Sequence, residues 1–188
     1  KARYMSRIQL EPAYILHSRS FRETSLIVDA FTREHGRVAA VARGVKSPRS
    51  RWRNVLQPFR PLLLSWNQKS DLGTLTAADQ VASPPALQGQ ALYCGLYLNE
   101  VLMRLLHRGD PHAEVFEREM HLLSDFASEA SPQPLLRVFE KHLLEAIGYG
   151  MLLEREYVPG DEVQLDRWFD YQPQRGPVAV SGPGKNRV

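Results

Sequence analysis

A chain of 188 residues that is 43% hydrophobic and 24% charged has the make-up of an ordinary soluble globular protein and can bury a core as one large or two small domains. No apolar run approaches the ~18 residues of a membrane span, and the opening KARYMSRIQLEPAY lacks the apolar centre of a signal peptide. One cysteine, Cys94, rules out a disulfide framework and a cysteine-based zinc site, so a cytoplasmic location is expected.

Residues 8–82 read as five short strands: AYILHS, SLIVDAFT, GRVAAVAR, FRPLLLSW and GTLTAADQ. They recur every 10–15 residues or so, and no helix-length period interrupts them. Leu62, Leu64 and Trp66 fall on one face by period two. Five strands and one long basic connection predict an OB-fold β-barrel. Ser83-Pro84-Pro85 then breaks the pattern, because a proline pair cannot continue a central strand.

Beyond it the period becomes helical. Residues 91–108 carry Leu92, Leu96, Leu98, Leu102, Leu105 and Leu106. Asp110-Pro111 reads as the N-cap and first position of a second helix reaching Ala130, with Val115, Phe116, Met120, Leu123 and Phe126 along one stripe. A third helix over 135–147 places Leu136, Phe139, Leu143 and Ile147 inward and stops at Gly148-Tyr149-Gly150. Three helices with short links predict a bundle. EREYVPGDEV reads as a loop, WFDY and GPVAVSG as a hairpin, and SGPGKNRV as a turn-rich end. The expected organisation is α+β and multi-domain: a barrel over 1–82, helices over 83–150, and an irregular hairpin element over 151–188.

Charge is distributed unevenly. Residues 1–60 hold 13 Lys and Arg against 4 Asp and Glu, whereas 61–188 hold 11 against 17, for a net +3. Within 35–70 there are eight Lys and Arg and no acid. Its centre, ARGVKSPRSRWRN, lies between two predicted strands. Asymmetry of this kind points to a polyanion. Arginine pairs bidentately with phosphate, and each neutralised phosphate releases counterions. Arg37, Arg43, Lys46, Arg49, Arg51, Trp52 and Arg53 are therefore the candidate nucleic-acid contacts. Trp52 either stacks on a base or faces the core. No rigid spacing suits base edges, so contact is expected to be nonspecific. The alternative is an adaptor whose basic face meets an acidic protein.

No catalytic constellation appears. There is no P-loop and no GxSxG. His107 and His112 straddle a helix break and suit a metal poorly. Glu114, Glu117 and Glu119 read as a solvated helix face, and Cys94 as a buried small side chain. The chain is not expected to be an enzyme, nor to need a metal or other cofactor.

SRSFRETSLIVDAFTREHGRVAAVARGVKSPRSRW followed by LQPFRPLLLSW resembles the N-terminal domain of the bacterial RecO family of recombination mediators. LYCGLYLNEVLMRLL and RVFEKHLLEAIGYG resemble its helical domain, so the likeness runs from Tyr14 to Gly150. The resemblance implies a DNA repair protein that binds single- and double-stranded DNA, anneals complementary strands and associates with the nucleoid. It also implies partners: RecR, RecA indirectly, and the acidic C-terminal tail of single-stranded-DNA-binding protein. Arg137 matches a basic position of the family's RxFE stretch, and with Lys141 one turn on it is the candidate site for that tail. The competing reading is local pairing, with Glu145 four residues beyond Lys141. The family's zinc-ribbon-like element corresponds to 151–188, where its metal-binding form is not expected, and its returning helices are not seen in this sequence.

Overall fold

A computed structural model of the chain describes residues 6–128, 131–151, 155, 162–164, 166–172 and 175–182. The chain divides into two compact units, Lys1–Glu140 and Lys141–Val188.

In the first unit, β1 (Ser6–Phe21), β2 (Ser25–Thr32), β3 (Gly36–Ala42), β4 (Leu62–Gln68) and β5 (Leu72–Gln80) close into a barrel in the order β1-β2-β3-β5-β4. Only β3 and β5 run parallel. This is the expected five-stranded OB-fold barrel. Closure depends on β1, which pairs with β4 through its first half and β2 through its second. Two register shifts, at Ile8/Glu11 and Ile15/His17, bend it between them. Leu10, at φ +52°, occupies the first, and its N–H donates to Ser65 Oγ at 3.0 Å.

Ala13, Ala30, Ala40 and Ala42 share the interior with Ile15, Val28, Leu62, Leu64 and Trp66. Gly73 lets the Trp66 ring lie against β5, since a Cβ there would meet its Cδ1 at 2.9 Å. β2 is buried along nearly its whole length because both its faces are covered, and Asp29, the one charge within it, pairs with Arg108 at 3.0 Å. Val28 and Ala30 belong to the barrel core, while Phe31 meets Phe116 of the second helix at 5.5 Å.

Three helices follow: α1 (Gly89–Leu105), α2 (Ala113–Ser128) and α3 (Gln133–Ala146). Asn99 of α1 is buried and donates to the Leu16 carbonyl at 3.1 Å, joining α1 to β1. Leu98, Leu102 and Leu106 are buried, but Leu92, Leu96 and Leu105 of the same predicted apolar set are exposed. The second helix begins at Ala113, not at Asp110-Pro111. The reason is tertiary: Arg108 bridges to Arg37, and the Gly109 N–H donates to the Arg37 carbonyl at 3.0 Å. The Asp110 backbone lies so close to Gly36 that a Cβ there would sit 2.1 Å from its carbonyl oxygen. That docking holds 108–110 against β3 and delays the helix. Of its expected end, Ala130 lies outside the described residues.

Glu119 also departs from the sequence reading. It is not on a solvated face: it is 0% exposed, and neither carboxylate oxygen has a hydrogen-bond partner. The stripe of Val115, Phe116, Leu122, Leu123 and Phe126 carries it inward. Burial pushes its pKa from 4.5 up to about 8. Burial, with Glu119 and Glu117 nearby, pushes Tyr14 of β1 up to about 12.

In the second unit, α3 ends at a left-handed Gly148, φ +84°, as its sequence predicts. β6 (Trp168–Gln172) and β7 (Gly176–Val180) form the expected hairpin. The predicted loop over 154–163 lies mostly outside the described residues.

Candidate nucleic-acid interface

The segment between β3 and β4 is fastened by apolar side chains. Val45 and Leu56 are buried in the barrel core, and Trp52 and Val55 pack beside them. Between these anchors the backbone turns repeatedly: Ser47 N–H donates to Gly44 O at 3.1 Å, Ser50 N–H to Ser47 O at 3.0 Å, and Leu56 N–H to Trp52 O at 2.9 Å. Arg51–Arg53 form a single 3₁₀ turn. With Trp52 turned inward, the arginines on either side are left outward. Arg43, Arg49, Arg51 and Arg53 are exposed and Lys46 is half-buried. None of the five has an ion-pair partner among the described residues.

Two predicted residues are placed differently. The Trp52 ring packs on the core, and its indole N–H is buried without a partner, so it anchors the loop rather than standing free. Arg37 sits at the far end of β3 from the loop. Its guanidinium donates to the Met103 carbonyl of α1. Burial above all, with Arg108 adding to it against the pull of Asp29, lowers its pKa.

The loop also forms one wall of a groove that the sequence did not reveal. Lys46 N–H donates to the Thr24 carbonyl at 2.9 Å, tying the loop to the β1–β2 turn. Beside that tie lies a groove of about 760 Å³. The β1–β2 turn, Arg43-Gly44 and the chain entering β5 enclose it. At its edge the Arg22 guanidinium lies over the Phe21 ring, 5.2 Å from the centroid. The aromatic–basic pair in SFRETS, set between two strands, was the available signal. A second hollow of about 630 Å³ mixes Arg37 and Arg108 with Glu34 and Asp71, so its charges cancel.

The cations of α3 are held differently. Arg137 Nη1 meets Glu140 Oε2 at 2.7 Å, and Lys141 Nζ meets Glu145 Oε1 at 3.7 Å. The Arg137 side chain is still 62% exposed, and it lies over the Tyr97 ring, 5.9 Å from the centroid. A hydrogen bond to Glu140, then burial, raises the Tyr97 pKa. Tyr93, Leu96 and Tyr97 lie at i, i+3 and i+4 on α1 and are all exposed, as is Val138 of α3. Arg137 thus borders an uncovered apolar surface. Among the described residues no helix is long and apolar enough to cross a membrane.

Residues 5–84 match the family model described as recombination protein O N terminal, and residues 86–187 match recombination protein O C terminal. The chain is 46% identical over 174 residues to a DNA repair protein RecO of Nitrosococcus oceani, covering 93% of this chain and 71% of that protein. It is 45% identical over 175 residues to that of Nitrosospira multiformis, covering 93% and 72%. Against that of Dechloromonas aromatica the identity is 41% over 187 residues, covering 97% and 77%.

Proposed function

We propose a DNA-binding mediator role for this chain, which belongs to the recombination protein O family. Its relatives carry the name DNA repair protein RecO, and a part in DNA repair and recombination follows from that membership. The finer reading is that the chain grips single- and double-stranded DNA nonspecifically, brings complementary strands together without catalysis, and works with RecR in RecA loading.

One observation carries the DNA reading: the cations of 43–53 have no ion-pair partner among the described residues, and the four arginines are exposed. A cation without a protein partner keeps its full attraction for phosphate and for the counterions it displaces. Trp52, Val45 and Leu56 hold the backbone beneath them in place. A salt titration of oligonucleotide binding tests this. The slope of log affinity against log salt should be steep and nearly independent of sequence; a flat slope would favour the adaptor reading, in which the basic face meets an acidic protein.

For the partner, the reading is that the acidic tail of single-stranded-DNA-binding protein docks beside Arg137. Its support is an exposed guanidinium bordering exposed Tyr93, Leu96 and Tyr97, which suits a peptide with both carboxylates and apolar side chains. Glu140 already holds Arg137, so the peptide must share or displace it. Anisotropy with a labelled tail peptide should show Arg137→Ala weakening binding about tenfold, or 1.4 kcal/mol. Wild-type affinity in that variant would move the site elsewhere.

A further inference from the structure

We infer that the groove between the β1–β2 turn and the start of β5 holds a single unpaired nucleobase, stacked at the Phe21–Arg22 pair, with Arg43 taking an adjoining phosphate. The inference deepens the DNA reading and rests on it.

Four features converge there. The groove volume, about 760 Å³, falls within the roughly 300–1,000 Å³ of small-ligand sites. Half of its lining is small, Thr24, Ser25, Gly44, Gly73 and Thr74 among them, which leaves room for a flat ring and supplies hydroxyls and backbone groups along its edges; Glu23 is the one acid in the lining, against Arg22 and Arg43. An aromatic ring and a guanidinium adjoin in the same wall, the Arg22 guanidinium carbon lying 5.2 Å from the centroid of the half-buried Phe21 ring. Stacked guanidinium and aromatic planes are the surfaces on which unpaired bases settle. Finally, Arg22 is exposed and has φ +53°, a left-handed conformation that is uncommon for a residue with a side chain. Neither Arg22 nor Arg43 has an ion-pair partner among the described residues.

A duplex offers its bases only edge-on, through the grooves, and keeps their faces stacked on one another. The Phe21–Arg22 surface needs a free face. The loop 43–53 attracts any phosphate backbone, whereas this groove favours the strand whose bases are unpaired.

The test compares three probes of equal length at one salt concentration: oligo(dT), an abasic deoxyribose-phosphate oligomer, and a duplex. They bind to wild type, Arg22→Ala and Phe21→Leu; Arg22 is exposed, so its removal leaves the core alone. Wild type should bind oligo(dT) at least fivefold more tightly than the abasic strand. Both variants should shrink that preference severalfold and change duplex affinity less than twofold. Equal wild-type binding of oligo(dT) and the abasic strand would overturn the inference while leaving the phosphate grip standing. So would loss of oligo(dT) and duplex binding in the same proportion in both variants. Failure of wild type to bind any probe at low salt would instead remove the DNA reading itself.

Discussion

The loop between β3 and β4 and helix α3 both present arginine and lysine at the surface, yet they keep their charge in opposite ways. Arg137 and Lys141 each lie one helical turn from a glutamate and pair with it. Arg43, Lys46, Arg49, Arg51 and Arg53 lie in a stretch without any acid, and none is paired among the described residues. An exposed helical pair stabilises its helix by only about 0.3–0.5 kcal/mol, but it cancels the outward field of its cation. The count of cations therefore says less about a polyanion site than their freedom from neighbouring acids. α3 favours a ligand that brings short-range, shaped contacts. The loop favours one that brings many phosphates.

Glu119 takes the contrast furthest, as a buried carboxyl with no cation or hydrogen-bond partner among the described residues. Because its pKa is raised from 4.5 to about 8, the folded protein keeps a proton that the unfolded chain releases above about pH 4.5. Stability is then fully present below pH 4.5 and declines as pH rises, levelling only above about 8. The decline is on the order of 3–5 kcal/mol. Glu119→Gln should flatten it, as read by denaturant melts between pH 5 and 9. A wild-type profile parallel to that of the variant would mean the carboxyl finds a partner in solution.

The next largest effect breaks the loop itself. Arg49→Ala, Arg51→Ala and Arg53→Ala together should lower the log–log salt slope of DNA binding by about 2 to 3, at 0.7–0.9 for each lost phosphate contact. Arg137→Ala should leave that slope where it was. Equal slopes for the triple variant and wild type, with the fold intact by circular dichroism, would end the distinction drawn between the two regions.

On the helix, removing the competitor should sharpen the contrast. Glu140→Gln frees Arg137 from its 2.7 Å partner and should strengthen binding of an acidic peptide severalfold, by about 1 kcal/mol. Weaker binding would mean that Glu140 positions Arg137 rather than competing for it. The smallest effect is on stability: Lys141→Ala should change the melting free energy by less than about 0.5 kcal/mol, and a loss above 1 kcal/mol would show that the pair with Glu145 is more than a surface contact.

Much of the fold was legible because its signals are local. Period two marks Leu62, Leu64 and Trp66 as one buried face, and Gly148 marks the end of α3 through its own backbone freedom. The basic loop was legible for the same reason, since a run of charge without acids is a property of neighbouring residues. The candidate site was only partly readable. Trp52 sits among arginines in sequence, but whether its ring faces solvent depends on Val45 and Leu56 closing the barrel beneath it. Phe21 and Arg22 gain meaning only when Gly73 and Thr74, some fifty residues on, form the opposite wall.

By itself, then, the sequence determined the order of strands and helices, the basic connection between β3 and β4, and the likeness to its family. These follow from hydrophobic period, turn chemistry and composition, which act over a few residues. Tertiary structure alone decided which charges are free and which are hidden. Glu119 has the same side chain as Glu114 and Glu117 on the same helix, but the face it shares with Phe116 and Phe126 is pressed into the core. Arg37 is as basic in sequence as any loop residue, but the packing of α1 sets the Met103 carbonyl against its guanidinium. Burial depends on which distant segments meet, and a charge changes character according to the medium they make around it.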